Sequence, residues 1–271
     1  MAGGKEIRLN KLFSGKRNAV VVAVDHGEFY GPVAGVRNLP VEFQKLTKAD
    51  GVLMSSGMIE HCKSYFYSKF SPTMIVRLNW SSSNCHHWGY KEGHTVQILA
   101  PQEAMALGAD IVLASLILQT GSEAVDTENV RVFSQIVQNK EKYQIPLMGE
   151  LYPIGGDKLD VDKLHKVVSI TCRIMSELGA DLIKTFYTGP KFSEIVKAVP
   201  VPIFVLGGTK TKTDLEALEL ASQSVRAGAR GVVFGRNIIQ SAQPEKMIEA
   251  LQEVVNKEAN PQEMARKYGL D

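Results

Sequence analysis

A chain of 271 residues, 44% hydrophobic and 22% charged, is long enough to bury one large core and falls in the size range of a single α/β barrel. Its formal net charge of +2, without a long basic run, supplies no electrostatic footprint for nucleic acid. A small anionic metabolite held by a local cation cluster remains compatible with it. Cys62, Cys85 and Cys172 are odd in number and share no C-x-x-C spacing, so no disulfide framework is expected and a reducing compartment fits. The opening MAGGKEIRLNKLF has no apolar run of signal-peptide length, and no stretch of about 18 apolar residues occurs as a membrane span would require. The expectation is a soluble cytoplasmic protein without a membrane partner.

In chain order, eight short runs rich in Val, Ile and Leu read as strands buried on both faces, because they are apolar throughout rather than alternating. They are AVVVAVD from Ala19, GVLMSS from Gly51, TMIVRLN from Thr73, DIVLASLI from Asp110, PLMGELY from Pro146, DLIKTF from Asp181, PIFVLG from Pro202 and GVVFG from Gly231. Helix-compatible segments lie between them. The clearest runs from Asp162 to Leu178, with Leu164, Val167, Val168, Thr171, Ile174, Met175 and Leu178 on one stripe at the helical period. Before buried strands the chain repeats one junction, LGAD at Leu107–Asp110 and Leu178–Asp181 and AGAR at Ala227–Arg230, with TKAD before Gly51 as a weaker copy. The glycine of this junction closes a helix. Strand, helix and stop repeated about eight times predict a single (β/α)8 TIM barrel over residues 1–271, with residues 1–18 and 258–271 outside the barrel proper.

In such a barrel chemistry gathers at the C-terminal strand ends, and three polar residues fall there: Asp25, Tyr152 and Lys184. A lysine inside the apolar strand LIKTF places its ammonium in the barrel interior or mouth. Desolvation and neighbouring cations there lower its pKa and free an amine for attack on a carbonyl. A structural salt bridge to Asp25 or Glu150 explains the pattern equally well. Asp25 in VDHG either pairs with that lysine and positions substrate hydroxyls or caps a turn, and His26 beside it binds substrate or caps the same loop. Tyr152 either transfers a proton or packs with a wet hydroxyl.

Gly207-Gly208-Thr209-Lys210 and Gly235-Arg236-Asn237 follow the seventh and eighth strands. Backbone N–H groups at those two loops commonly cradle phosphate in such barrels, although tight turns alone would also use the glycines. Thr213 and Glu216 have capping-box spacing and open a helix near the first loop. Cys85, His86, His87 and His94 are poorly spaced for zinc, so no metal is expected. Trp80 and Trp88 flank that loop and suit a lid or an oligomer contact.

Read in order, VDHG, YP, LIKTFY, LGGTK and FGRN make the chain resemble the bacterial and archaeal class I aldolases of the DeoC/fructose-bisphosphate aldolase type, from about Val20 to Val255. The resemblance implies a Schiff base on Lys184, proton handling by Tyr152 and assistance by Asp25. It also implies phosphate contacts from Gly207, Gly208, Gly235 and Arg236, a phosphorylated sugar or ketone as substrate, no metal or organic cofactor, and a homo-oligomer. Two positions depart from the fructose-bisphosphate aldolases: Glu150 stands where they typically carry a tryptophan, and Ile154 where they carry an arginine. AVDHGEFYGP, VPVPIF and GRNIIQSAQPEKM also look like the related thiolase of phosphorylated autoinducer-2, a branch that lacks the tyrosine.

The resulting expectation is reversible aldol cleavage of a phosphorylated ketose. The alternatives are a coenzyme A thiolase acting on a phosphorylated dione, a transaldol-type synthase of a seven-carbon amino-sugar precursor, or a sugar-phosphate-binding barrel in which Lys184 is only an ion pair.

Overall fold

The structure is a computed structural model that describes residues 3–85 and 88–270. Among them, ten strands form: β1 (Ala19–Ala23), β2 (Gly51–Met54), β3 (Thr73–Arg77), β4 (Asn79–Ser81), β5 (Thr95–Gln97), β6 (Ile111–Ser115), β7 (Leu147–Glu150), β8 (Leu182–Thr185), β9 (Ile203–Leu206) and β10 (Gly231–Phe234). Eight of them close a parallel barrel in the order β1-β2-β3-β6-β7-β8-β9-β10, with β10 returning to β1. These are the eight apolar runs of the sequence.

Every barrel strand is buried along its whole length, so alternation is invisible in the sequence but present in the packing. One set of side chains faces the surrounding helices, including Val20, Val22, Val52, Val76, Val112, Ile183 and Val205. The other fills the barrel: Ala19, Val21, Ala23, Leu53, Ile75, Leu113, Met148, Leu182, Phe204 and Val233. Because side chains alternate with a period of two, the next inward position on four of these strands is Arg77, Ser115, Glu150 and Lys184, and Asp25 continues β1 in the same phase. Five polar residues thus form the uppermost interior layer.

The helix predicted from Asp162 to Leu178 spans Val161–Leu178, one residue longer at its start, because Asp160 caps it by accepting the backbone N–H of Lys163. It ends at Gly179 with φ 107°, a left-handed cap that favours glycine. The capping box at Thr213 and Glu216 is formed and opens the helix Asp214–Arg226.

The N-terminal segment packs on the strands and the C-terminal one on the outer helices. The helix Gly4–Phe13 plugs the N-terminal mouth, with Leu12 fully buried against the interior set. The junction aspartates do more than precede strands. Asp50, Asp110 and Asp181 accept the backbone N–H of Val20, Met74 and Leu147 on the neighbouring strands, and pair with Lys16, Lys11 and Lys5 of the N-terminal segment. At the fourth junction Arg230 donates to the Arg17 carbonyl and covers the Phe13 ring. At the other end of the chain the helix Pro261–Tyr268 buries Ala265 against the outer helices.

After β3 the chain makes an unanticipated hairpin, β4 pairing antiparallel with β5. Fully buried Asn129 ties it down, accepting from Thr95 N and Oγ1 and donating to the carbonyls of Gly93 and Ile117. Trp88 at its tip is 57% exposed and packs edge-on against Tyr90. No helix among the described residues is long and apolar enough to cross a membrane.

Candidate active site

The C-terminal mouth of the barrel holds a cavity lined by Asp25, His26, Tyr152, Lys184, Gly207, Gly208, Gly235 and Arg236. All eight residues singled out from the sequence therefore meet in one place. Arg77, Glu150, Phe29, Tyr30 and Asn84 line it as well.

At its floor is a network of charges. Lys184 Nζ lies 2.6 Å from Glu150 Oε1. The other oxygen of that carboxylate accepts from Arg77 Nη2 at 2.7 Å and from the Ser115 hydroxyl at 2.7 Å. Arg77 also donates through Nε to Asp25 at 2.7 Å and through Nη1 to Ser115 at 2.9 Å, and its guanidinium lies 4.9 Å from the centre of the Phe29 ring. Arg77 is 1% exposed. Burying a cation this deeply requires compensation, and two carboxylates supply it. Burial raises the pKa of Glu150, but Arg77 and Lys184 together outweigh it and hold the carboxyl well below the usual range. The salt bridge between Lys184 and Glu150 anticipated as one reading of LIKTF is therefore present, and it lies inside the cavity.

Register explains the grouping. Ser115 pairs with Glu150 and Glu150 with Lys184, so three inward side chains of adjacent strands sit in one row. Asn79 locks the first of them, accepting from Ser115 N and donating to Ser115 O.

The loop residues complete the walls. The sharp turn after β1 folds His26 under the β10 loop, where a Cβ on Gly235 would fall 2.1 Å from His26 Cε1. Only glycine fits there. Burial lowers the His26 pKa to about 4, reinforced by Lys184, Arg236 and Arg77 and opposed by Asp25. The imidazole is therefore neutral at pH 7, and its Nδ1 has no hydrogen-bond partner among the described residues.

Arg236 opens the short helix Arg236–Ile239 and donates from Nη2 to the Gly208 carbonyl at 2.8 Å, while its buried Nε has no partner among the described residues. Asn237 bridges the two loops, donating to Gly207 O and accepting from Thr211 N. The Tyr152 ring meets Phe186 edge-on at 4.9 Å between centroids. Glu28, just outside the cavity, has both carboxylate oxygens buried without a partner among the described residues, and burial raises its pKa to about 7 against the pull of Arg77.

Arg77 is not among the residues singled out from the sequence, although the signal that marks Lys184, a charge inside an apolar strand, is equally present in TMIVRLN. Of the residues weighed for zinc, His86 and His87 lie outside the described residues. Cys85 is buried and His94 pairs with Glu92. Among the described residues no group of three or more metal-ligating side chains occurs.

A lysine in the wall of a closed parallel barrel, beside a carboxylate and a glycine-arginine loop pair, is an aldolase-like arrangement. The chain belongs to the DeoC/LacD family of aldolases, whose model matches residues 19–241, and it is accordingly a lyase. It is 36% identical over 265 residues to an uncharacterized aldolase of Saccharolobus solfataricus, covering 95% of this chain and 96% of that protein. It is 31% identical over 258 residues to the 3-hydroxy-5-phosphonooxypentane-2,4-dione thiolase of Yersinia pestis, covering 95% and 84%. Among solved structures it is similar to an archaeal fructose-1,6-bisphosphate aldolase whose catalytic lysine is covalently bound to the carbinolamine intermediate of its substrate. That match has a TM-score of 0.78 and 29% identity, covering 92% of this chain and 98% of the other.

Proposed function

We propose that the protein is a class I aldolase that cleaves a phosphorylated ketose, resembling fructose 1,6-bisphosphate in class, through a Schiff base on Lys184. The observation that carries this reading is the position of Lys184, whose Nζ opens into the same cavity as Arg236 and the two glycine loops. The amine attacks the ketone and loses water to form a protonated imine. That cation withdraws electrons from the adjacent C–C bond, which breaks to leave an enamine. Tyr152 takes the proton of the substrate hydroxyl as the bond breaks. Asp25, fixed by Arg77, orients substrate hydroxyls, and neutral His26 contributes hydrogen bonds to substrate. Gly207, Gly208, Gly235 and Arg236 hold the phosphate, with backbone N–H groups and a guanidinium suited to its oxygens.

The thiolase reading draws support from the Yersinia pestis relative, and Tyr152 in the cavity wall favours aldol cleavage over it. We further propose a cytoplasmic homo-oligomer in which the chain, including both terminal segments, is one domain. Incubation with fructose 1,6-bisphosphate or dihydroxyacetone phosphate, followed by borohydride, is expected to add the reduced mass of the bound ketone to Lys184 and nowhere else. EDTA is expected to leave turnover unchanged. Absence of any adduct together with EDTA inhibition would replace this mechanism with a metal-dependent one.

A further inference from the structure

We infer that the protein has a second ligand site, separate from the catalytic cavity: a groove between the loops after β1 and β2 that takes a small anion with an apolar body, a carboxylate or phosphate on a short alkyl or aromatic group. The inference does not depend on Lys184 being a nucleophile.

The short helix Gly27–Tyr30 is the partition between the two sites. Along the segment that contains it, Ala23, Asp25, His26, Phe29 and Tyr30 line the catalytic cavity, whereas Val24, Gly27, Glu28 and Gly31 line the groove. Among the described residues the two sites share no lining residue. The opposite wall of the groove is built by Ser55, Ser56, Gly57 and Met58, which follow β2 directly. Strand ends at this face of a parallel barrel are where chemistry gathers, yet among the described residues the end of β2 contributes nothing to the catalytic cavity. It lines the groove instead.

The lining names the class of ligand. The floor is apolar, with Val24, Val36 and Leu39 buried and Met58 half-buried. The rim is polar: Arg37, Asn38 and His61 are exposed there, and Ser55 and Ser56 are half-buried. Among the described residues none of these five side chains makes a hydrogen bond or an ion pair. The cations on the surface around the groove are neutralised, Lys45 by Glu42, Lys48 by Glu249 and Lys63 by Glu60, whereas the Arg37 guanidinium within it is left for a ligand. A guanidinium meets a carboxylate or phosphate through two parallel N–H donors. Hydroxyl and amide groups fix the orientation of such a head group, and an apolar floor receives the rest of the molecule.

A cationic ligand fits the groove poorly. Glu28 is the one acidic residue lining it among the described residues, and both of its carboxylate oxygens are buried. Burial also raises its pKa to about 7, so it sets less than a full negative charge against an anion.

The test labels the methionine methyl groups of the intact protein and follows by NMR the Met58 signal, assigned with Met58→Leu. The probes are benzoate and phenyl phosphate, one ring on two anions, with benzyl alcohol as the uncharged counterpart. At least one anion is expected to shift the Met58 methyl saturably, at roughly millimolar concentration for so small a ligand, and the tighter of the two identifies the head group. Benzyl alcohol is expected to bind about tenfold or more weakly, and Arg37→Ala to weaken the anion by a similar factor. A Cβ at Gly57 would meet nothing within 4 Å, so Gly57→Leu adds a side chain at the groove wall without a clash. It is expected to abolish the saturable shift and leave turnover unchanged. Arg236→Ala, in the catalytic cavity, is expected to leave the Met58 response as it was. A Met58 methyl unmoved by both anions overturns the site, as does a response that survives Gly57→Leu. Equal affinity for benzyl alcohol, or equal affinity of parent and Arg37→Ala for the anion, overturns the anionic class and the inference with it. A response lost in Arg236→Ala and kept in Arg37→Ala puts the anion in the catalytic cavity and also overturns it.

Discussion

Gly235 and His26, from opposite ends of the chain, occupy one volume: a methyl group on the first would sit 2.1 Å from Cε1 of the second. Gly235→Ala is therefore expected to expel the imidazole or shift the β10 loop, with a loss of stability of about 1–3 kcal/mol, as for overpacking elsewhere. Trimming the ring should relieve it, so Gly235→Ala added to His26→Ala is expected to lose almost nothing further. Urea melts of the four proteins in this double-mutant cycle check the coupling. Additive losses would mean that the two residues do not compete for space.

Arg236 touches the Gly208 carbonyl through one nitrogen, and among the described residues its Nε has no partner. Arg236→Ala is expected to raise KM for a phosphorylated ketose far more than for its unphosphorylated analogue, because a contact kept from ground state to transition state acts as uniform binding. Steady-state kinetics with the two substrates decide it, and equal effects would remove Arg236 from the phosphate.

Tyr152→Phe preserves the ring and its edge-on contact with Phe186 while deleting the phenol oxygen. The expected result is a fall in kcat of roughly 10²–10⁴-fold, with borohydride trapping at Lys184 retained. Cleavage at the parental rate would leave Tyr152 as packing.

The fourth prediction concerns pH. His26 titrates near 4 in the folded protein against an ordinary 6.5, so the unfolded chain binds the extra proton, and stability is lost as pH falls from about 6.5 toward 4. Glu28 titrates near 7 against 4.5, so the folded protein binds the extra proton, and stability is lost as pH rises from about 4.5 to 7. Between about 4.5 and 6.5 the two slopes oppose. Glu28→Gln is expected to uncover the His26 slope, a loss of stability on acidification approaching about 1.4 kcal/mol per pH unit, and His26→Asn to uncover the opposite one. Urea denaturation at several pH values measures both. Identical slopes in the two variants would contradict the burial of at least one of these groups.

Much of the fold was legible because a parallel barrel buries both faces of its strands and so writes them as unbroken apolar runs. The same rule exposed Lys184, since a lysine in such a run has nowhere to go but the mouth. It applied equally to Arg77, which was missed because RLN at the end of TMIVRLN reads as a strand already turning polar. Glu150 was visible as a departure from a family pattern and as a salt-bridge partner. Its hold by Arg77 and Ser115 depends on register between strands distant in sequence. The contact of Gly235 with His26 and the hairpin of β4 and β5 are nonlocal in the same way, and strands of three residues leave no period to detect. The junction aspartates were seen as a repeat with only the glycine explained, because their partners are lysines from a segment placed outside the barrel.

Those lysines set an order of events during synthesis. Lys5, Lys11 and Lys16 leave the ribosome before any barrel strand, yet their partners Asp181, Asp110 and Asp50 emerge later, and Asp181 only when five of the eight barrel strands have been made. The plug is thus made before the strands it closes, and its last charge pair waits for β8. Until then Leu12 and the inner ends of the strands face water, and the loop to be closed lengthens with each strand added, although its entropic cost rises only logarithmically. The three charge pairs span successive stages of that wait. The Lys16 pair becomes available with β2, the Lys11 pair with β6 and the Lys5 pair with β8, so the amino-terminal segment can be taken up stepwise as the floor of the barrel is laid down.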